Sequence, residues 1–267
     1  MKLLLRRLIV LGTPLVLVIL LSTHPVFPQQ ASVFRGILPH LDWWLTLHVL
    51  QLPLFGLLAL AVYLLIEDIH SVATVISRLA LGCFVIFYLP FDSVIGISSG
   101  ILVLYGARLP IDQRAVLEKM LDYFVQSPLA TLIAILGSLG WEVGVLAMTL
   151  ALARPNKSRV LVLVLAMGCV LFGLWSLLSG AVTVFWWIGS ITLALTLGLV
   201  MTPHLPVTLL VLAALLFGVS HVPPFGPLGL TCFFVAVLQL EFFEEKRSIP
   251  QKSEVGSFPS LPANANS

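Results

Sequence analysis

The stretch WWLTLHVLQLPLFGLLALAVYLLI, residues 43–66, decides the fold class of this chain. From Leu57 to Ile66 it is continuously apolar, without the alternation of polar and apolar positions that a membrane β-strand shows. A hydrocarbon layer about 30 Å thick is crossed by roughly 20 apolar residues at 1.5 Å per residue. Because a helix satisfies every backbone N–H within its own segment, this stretch predicts a transmembrane α-helix.

The composition extends this prediction to the whole chain. Of 267 residues, 59% are hydrophobic and 10% are charged, and the mean hydropathy is +1.09. A soluble domain carries about 25% charged residues, so this chain cannot build a water-facing surface. The net charge of +2 is too small to indicate a nucleic-acid partner. The three cysteines lie inside apolar runs and have no metal-ligand spacing.

The pattern of apolar runs predicts an all-α polytopic bundle of about eight spans in a single domain, residues 1–243. The predicted spans are 3–21, 43–66, 79–105, 129–153, 160–178, 182–201, 206–219 and 228–243. Residues 25–42 are predicted to form a loop, and residues 111–126 an amphipathic helix on the membrane surface. Residues 244–267 are polar and are predicted to form a disordered cytoplasmic tail.

Two features leave the number of spans open. The first span follows a basic start and could be a cleaved signal peptide, which would leave seven spans. No A-x-A-like cleavage site follows it, so a retained helix is favoured. Spans seven and eight are short, and together they could form one re-entrant hairpin.

Lysine and arginine predict the orientation, because they are enriched in cytoplasmic loops. With the N-terminus inside, the inner segments hold ten of them: Lys2, Arg6, Arg7, Arg78, Arg154, Lys157, Arg159, Lys246, Arg247 and Lys252. The outer segments hold four: Arg35, Arg108, Arg114 and Lys119. This surplus predicts that both termini are cytoplasmic.

Two carboxylates fall near the middle of predicted spans, Asp92 in the third and Glu142 in the fourth. Burying an ionisable side chain there costs about 2.5–3.5 kcal/mol on insertion scales. Gly96 and Ser99 share a helical face with Asp92, and Pro90 interrupts the helix two residues before it. The two acids could line a polar cavity that binds a cation or relays a proton. Alternatively, each could be a protonated or hydrogen-bonded clamp between helices.

Four of the six histidines, His24, His40, His48 and His221, fall on the predicted outer side. His48 and Gln51 share a face of the second span, and two prolines fix the backbone shortly after His221. A metal site built from His48, His221 and a carboxylate is one alternative, and haem between two axial histidines is another. No H-x₃-H or H-E-x-x-H spacing exists, so neither a metal ligand nor a cofactor is predicted.

Two stretches resemble a group of uncharacterised bacterial multi-pass membrane proteins. One is residues 78–100, with FDSVIGISSG at 91–100, and the other is HVPPFGPLG at 221–229. A weaker third stretch is HVLQLPLF at 48–55. The resemblance implies a multi-span protein of the bacterial cytoplasmic (inner) membrane, and it implies no activity.

The leading hypothesis is an outward-facing polar cavity that binds or moves a small solute, proton or cation. Its predicted lining residues are His48, Gln51, Asp92, Ser99, Glu142 and His221. One alternative is a structural or assembly subunit without a ligand, and another is a metal-dependent enzyme acting on a lipid. No G-x-S-x-G motif is present, so no catalytic residue is predicted. The predicted partners are the lipid bilayer and a small solute or ion.

Overall fold

The computed structural model describes residues 2–27, 32–153 and 205–247, and the regular structure in these ranges is entirely helical. The seven described helices are α1 (2–22), α2 (Val33–Leu65), α3 (Val72–Gly106), α4 (Ile111–Val125), α5 (Pro128–Leu152), α6 (Leu205–Val219) and α7 (Phe225–Arg247). Four of them, α1, α2, α3 and α5, are long and apolar enough to cross a membrane. The predicted spans at 160–178 and 182–201 lie outside the described residues, as do residues 248–267 of the predicted tail 244–267. Residues 244–247, predicted to belong to the tail, form the last turn of α7.

Two helices begin earlier than the apolar runs that predict them. Within the predicted loop 25–42, residues Val33–Ile37 are helical, and a 3₁₀ turn at Leu38–His40 joins them to the long part of α2. The Ser32 side chain caps this start by accepting a hydrogen bond from the backbone of Arg35. Helix α3 starts at Val72 because the preceding Ser71 forms a capping box with the third residue of the helix.

Helix α3 is irregular around Pro90. Two π-helical segments, Phe84–Tyr88 and Ser93–Ser98, flank a single α-helical turn, Leu89–Asp92. Proline has no N–H to donate and its ring clashes with the preceding turn, so the regular hydrogen-bond ladder cannot continue through it. Such π-helical insertions are rare and are frequently found at functional sites.

Helix α5 packs closely against this irregular part of α3 through glycines on one of its faces. A Cβ atom added at Gly140 would lie 2.5 Å from the backbone nitrogen of Phe84, and one at Gly137 would lie 2.9 Å from the backbone of Tyr88. Small residues of this kind let helix backbones approach in a membrane. The contact therefore fixes the position of Tyr88 relative to α5.

An aromatic core lies in the middle of the bundle and is built from five helices. Its fully buried rings are Phe55, Phe84, Trp141, Phe217 and Phe233. Edge-to-face and tilted contacts link them, with centroids 4.9 Å apart for Trp141 and Phe217 and 6.3 Å for Phe55 and Phe84. Because lipid is as apolar as these side chains, close packing contributes more to their association than removal from water.

At one end of the bundle an ionic contact joins three helices. Arg6 Nη1 on α1 lies 2.5 Å from Glu241 Oε1 on α7, and Arg6 Nε lies 3.7 Å from Glu67 Oε1, two residues after α2. The start of α1 and the end of α7 therefore lie together. The buried side chains of α1, Val10, Leu17 and Leu21, pack into the main core.

Candidate metal centre

Three histidines meet at the end of the bundle opposite Arg6. His24 follows the C-terminus of α1, His48 lies in the first half of α2, and His221 lies in the link between α6 and α7. One potential ligand nitrogen from each ring can be chosen so that all three lie within 4.8 Å of one another. The His24 ring is nearly perpendicular to both others, with centroid distances of 5.3 Å to His48 and 5.4 Å to His221.

His48 is fixed by the antiparallel contact of α2 with α3. Its Nδ1 donates a hydrogen bond of 2.8 Å to the carbonyl oxygen of Trp44, which leaves Nε2 with a free lone pair. The Trp44 indole donates in turn to the carbonyl of Gly96 at 2.7 Å. A Cβ atom at Gly96 would overlap the His48 ring, so only glycine leaves room for the imidazole there.

His24 has the same arrangement of its ring nitrogens. Its Nδ1 donates to the carbonyl of Pro25 at 2.9 Å, and its buried Nε2 has no hydrogen-bond partner. Histidines that bind metals generally donate their other ring N–H to a carbonyl or carboxylate, which fixes the tautomer and the ring orientation. Both His24 and His48 meet this condition through backbone carbonyls.

His221 is held from α3 by two side chains. Its Nδ1 lies 2.6 Å from the Tyr88 hydroxyl, and its Nε2 lies 3.8 Å from Oδ1 of Asp92. The start of α7 packs against the backbone here, since a Cβ atom at Gly226 would overlap the His221 carbonyl group. Tyr88 and Asp92 lie on either side of Pro90, so the irregular part of α3 supplies both contacts.

The cluster is shielded from solvent. His48 and Asp92 are each 2% exposed and His24 is 7% exposed. Burial lowers the pKa of His24, although its hydrogen bond to the Pro25 carbonyl acts in the opposite direction. Burial also holds the pKa of His221 well below its usual range, and the neighbouring His24 and His48 lower it further. These two rings are therefore neutral near pH 7, the form that coordinates metals.

Several buried polar atoms around the cluster have no hydrogen-bond partner. They are Asp92 Oδ2, both amide atoms of Gln51 and Ser99 Oγ, besides Nε2 of His24. The contacts of His48 with Gly96 and of Phe55 with Tyr88 set the register of α2 against α3, which places Gln51 level with Asp92. Since most buried polar groups are paired, a bound polar ligand would account for this concentration of unpaired atoms.

The structure brings together three of the six predicted cavity residues, His48, Asp92 and His221, and places Gln51 at the same level. Ser99 is fully buried on α3, seven residues after Asp92 and beyond the π-helical segment Ser93–Ser98. Glu142 does not belong to this cluster, because its side chain packs against Gly218, between α5 and α6. No hydrogen bond or ion pair joins Glu142 to the histidines in the described part of the chain.

Two members of the cluster are absent from the predicted cavity residues. His24 lies in a loop, where no periodicity indicates which way a side chain faces. Tyr88 resembles one more aromatic residue in an apolar run, FVIFYLPF at 84–91. Its position two residues before Pro90 is the one available signal, because helix irregularities often accompany functional sites.

No protein-family model, curated protein or solved structure matches this chain. The resemblance to uncharacterised bacterial membrane proteins therefore stays a prediction, and the site must be interpreted from its own geometry.

Proposed function

We propose that this membrane protein binds a divalent transition-metal cation through His24, His48 and His221. The observation that supports this most directly is the convergence of the three rings, with one nitrogen of each within 4.8 Å of the others. The ligands come from three separate parts of the chain, and two of them have their second nitrogen bonded to a backbone carbonyl. A buried ring nitrogen without a hydrogen-bond partner, as in His24, is unusual in a folded protein, and a bound metal would account for it.

The distances fit a metal-centred site. With metal–nitrogen bonds of about 2.0–2.1 Å, ligand nitrogens on a tetrahedral ion lie about 3.4 Å apart and the ring centroids about 5.2 Å apart. The distances of the His24 centroid, 5.3 Å to His48 and 5.4 Å to His221, match the expected centroid separation for two of the three ring pairs. Ligand nitrogens as far apart as 4.8 Å would have to move closer, to about 3.4 Å, when the metal binds.

The donor atoms favour a metal such as Zn²⁺ or Co²⁺. Imidazole nitrogen suits zinc, iron, nickel and copper, whereas Mg²⁺ and Ca²⁺ prefer cages of oxygen atoms. Three neutral imidazoles leave the full +2 charge in an apolar environment. The carboxylate of Asp92, 3.8 Å from His221, supplies the compensating negative charge, either as a ligand or through a bound water.

Haem fits this arrangement less well. Two axial histidines lie on opposite faces of a porphyrin, so the layer between them must be free for the macrocycle, whereas here the His24 ring lies 5.3 and 5.4 Å from the other two rings. The third ring would occupy the space that the macrocycle needs.

A second candidate function is proton transfer without a metal. The hydrogen bond between Tyr88 and His221 and the approach of Asp92 to the other ring nitrogen form a short chain of proton-carrying groups. In this case His24 has no role, although its unpaired Nε2 belongs to the same cluster. For this reason we favour the metal.

We further propose that the site lies on the outer side of a bacterial cytoplasmic membrane.

Metal analysis of the purified protein tests the proposal. Protein from metal-replete cells is expected to contain about one equivalent of metal, or to take up one equivalent of Co²⁺ with the visible absorption of a tetrahedral complex. His24→Gln, His48→Gln and His221→Gln are each expected to lose this binding. His40→Gln is the matched control, because His40 is exposed in the same region. Absence of stoichiometric metal from folded wild-type protein, together with no uptake of Zn²⁺ or Co²⁺, overturns the proposal.

A further inference from the structure

A second feature lies at the other end of the same helices, on the outer surface of α2 and α3. A groove of about 340 Å³ runs between them, which reaches the range of small-ligand sites. Its sides are two helical stripes, Gly56, Leu60 and Tyr63 on α2 and Arg78, Gly82 and Ile86 on α3. The side chains of Leu60, Tyr63 and Ile86 are 38%, 41% and 65% exposed, so the groove opens away from the bundle.

The groove has an apolar floor formed by two glycines. A Cβ atom added at Gly56 or at Gly82 would have no neighbour within 4 Å, so this space is not filled by another described helix. This differs from Gly137 and Gly140, where added Cβ atoms would meet the neighbouring backbone. Among the described residues, the space above Gly56 and Gly82 is therefore open.

One end of the groove carries a positive charge. Arg78 Nη2 donates to the last carbonyls around the end of α2, those of Ile66 and Glu67, and the guanidinium lies 5.0 Å from the centre of the Tyr63 ring. No carboxylate lies within ion-pair distance of Arg78 in the described ranges. Its Nε is a buried donor without a partner.

We propose that this groove binds an anionic phospholipid, with an acyl chain along Gly56 and Gly82 and the phosphate at Arg78. The division into an apolar slot and one cationic end matches the division of such a lipid into chain and headgroup. Basic residues between transmembrane helices commonly bind anionic headgroups, and tyrosine is enriched at the level of the headgroups. A packed helix would fill the slot but would leave the charge of Arg78 uncompensated unless it carried an acid at that level.

This inference does not depend on the metal site. Lipid binding is measured by native mass spectrometry of purified protein with phosphatidylglycerol and with phosphatidylcholine of the same acyl chains. The wild type is expected to bind phosphatidylglycerol about fivefold more tightly, the factor that about 1 kcal/mol for one arginine near the surface represents. Glycerol 3-phosphate, which has the phosphate without the chains, is expected not to compete at the same concentration.

Two variants distinguish the contribution of the acyl chain to lipid binding from that of the headgroup. Arg78→Gln is expected to remove the preference for phosphatidylglycerol while leaving the binding of phosphatidylcholine unchanged. Gly82→Leu places a side chain in the slot, where its Cβ atom has no neighbour within 4 Å, and is expected to weaken the binding of both lipids. Gly12→Leu is the matched control, because Gly12 has equally open surroundings on α1, outside the groove. Helicity and elution volume of each variant show that it folds.

Four outcomes overturn the proposal. They are equal affinity of the wild type for the two lipids, full lipid binding by Gly82→Leu, competition by glycerol 3-phosphate, and a change of oligomeric state in Gly82→Leu. The third indicates a free-phosphate site, and the last indicates that a helix from another copy occupies the groove.

Discussion

The Nε2 atom of His221 lies 3.8 Å from a carboxylate oxygen of Asp92, while the other buried acid, Glu142, packs on a different helix pair. The two carboxylates therefore have different expected roles. Asp92 balances the charge of a bound cation, and Glu142 contributes to the contact between α5 and α6. Substitution by the matching amide keeps the shape of each side chain and removes its charge, so the two roles can be compared directly.

Asp92→Asn is expected to weaken Zn²⁺ or Co²⁺ binding at least tenfold, because the cation loses its nearest negative charge. Glu142→Gln is expected to leave the metal affinity unchanged. Isothermal titration of the two metal-free proteins in detergent measures both values. Equal losses in the two variants would show that the effect is general rather than local to the cluster.

Gly96→Ala is expected to reduce metal binding without altering any ligand. The added methyl group would overlap the His48 ring, so the imidazole must leave the position from which it reaches His24. A loss of about 10–100-fold is expected, as for other changes that disturb the orientation of a ligand. Gly12→Ala, a substitution in open surroundings, serves as the comparison in the same titration. Wild-type affinity in Gly96→Ala would contradict the assigned role of His48.

Tyr88→Phe tests the hydrogen bond at His221. Without the hydroxyl group, Nδ1 of His221 loses its partner at 2.6 Å, and the ring is no longer fixed in one orientation. We expect roughly tenfold weaker metal binding. The substituted ring still packs on Phe84, so little change in helicity is expected. Tyr105→Phe removes a hydroxyl from an exposed residue of the same helix and is expected to bind metal like the wild type.

Removal of the metal is expected to destabilise the protein. A ligand present at 100 times its Kd stabilises the folded state by about 2.7 kcal/mol, which corresponds to roughly 5–10 °C in Tm for a chain of this size. Zn²⁺ added to chelator-treated wild type should therefore raise the Tm by this amount, and Mg²⁺ should not. His24→Gln should show no rise with either ion. A rise in that variant would locate the stabilising metal elsewhere.

Helix α1 is expected to be retained in the mature protein, because Val10, Leu17 and Leu21 are buried in the main core and Arg6 bonds to Glu241. The intact mass of protein purified from membranes measures this. Arg6→Gln should lower stability by about 1 kcal/mol, near the upper end for partly exposed ion pairs. Arg35→Gln, at an exposed pair with Glu118, should cost less. A mass that lacks the first 20 or so residues would contradict the prediction.

The architecture could be predicted from the sequence to the level of helices in a membrane, since long apolar runs have few other stable forms. The first and last residues of the helices were harder to predict from the sequence. The start of α2 at Val33 depends on one capping serine, and the start of α3 depends on a capping box of two residues. A cap of this kind involves only one or two residues, so it is a weaker sequence signal than a long hydrophobic run. The π-helical turns around Pro90 could be anticipated only as a disturbance at the proline.

Part of the candidate site could be predicted from the sequence, because a polar residue inside an apolar span requires a partner. This argument selects His48 and Asp92 as well as Glu142. It gives the face of each helix on which a residue lies, but it does not say which helix covers that face. The separation of Glu142 from the histidines, and the inclusion of His24, follow from how α1, α5 and α6 pack. That information lies in contacts between distant parts of the chain.

The order in which the histidines are synthesised has a consequence for biogenesis. His24 and His48 emerge from the ribosome early, whereas His221 and helix α7, which carries Glu241, emerge late. Until His221 emerges, a nascent chain offers two of the proposed ligand rings but not the third, and two rings hold a cation weakly. Loading of the proposed site would therefore wait until His221 has been synthesised and α7 has packed beside α1, where Arg6 bonds to Glu241. A product truncated before residue 221 would stay permanently unloaded, which would distinguish incomplete chains from finished ones.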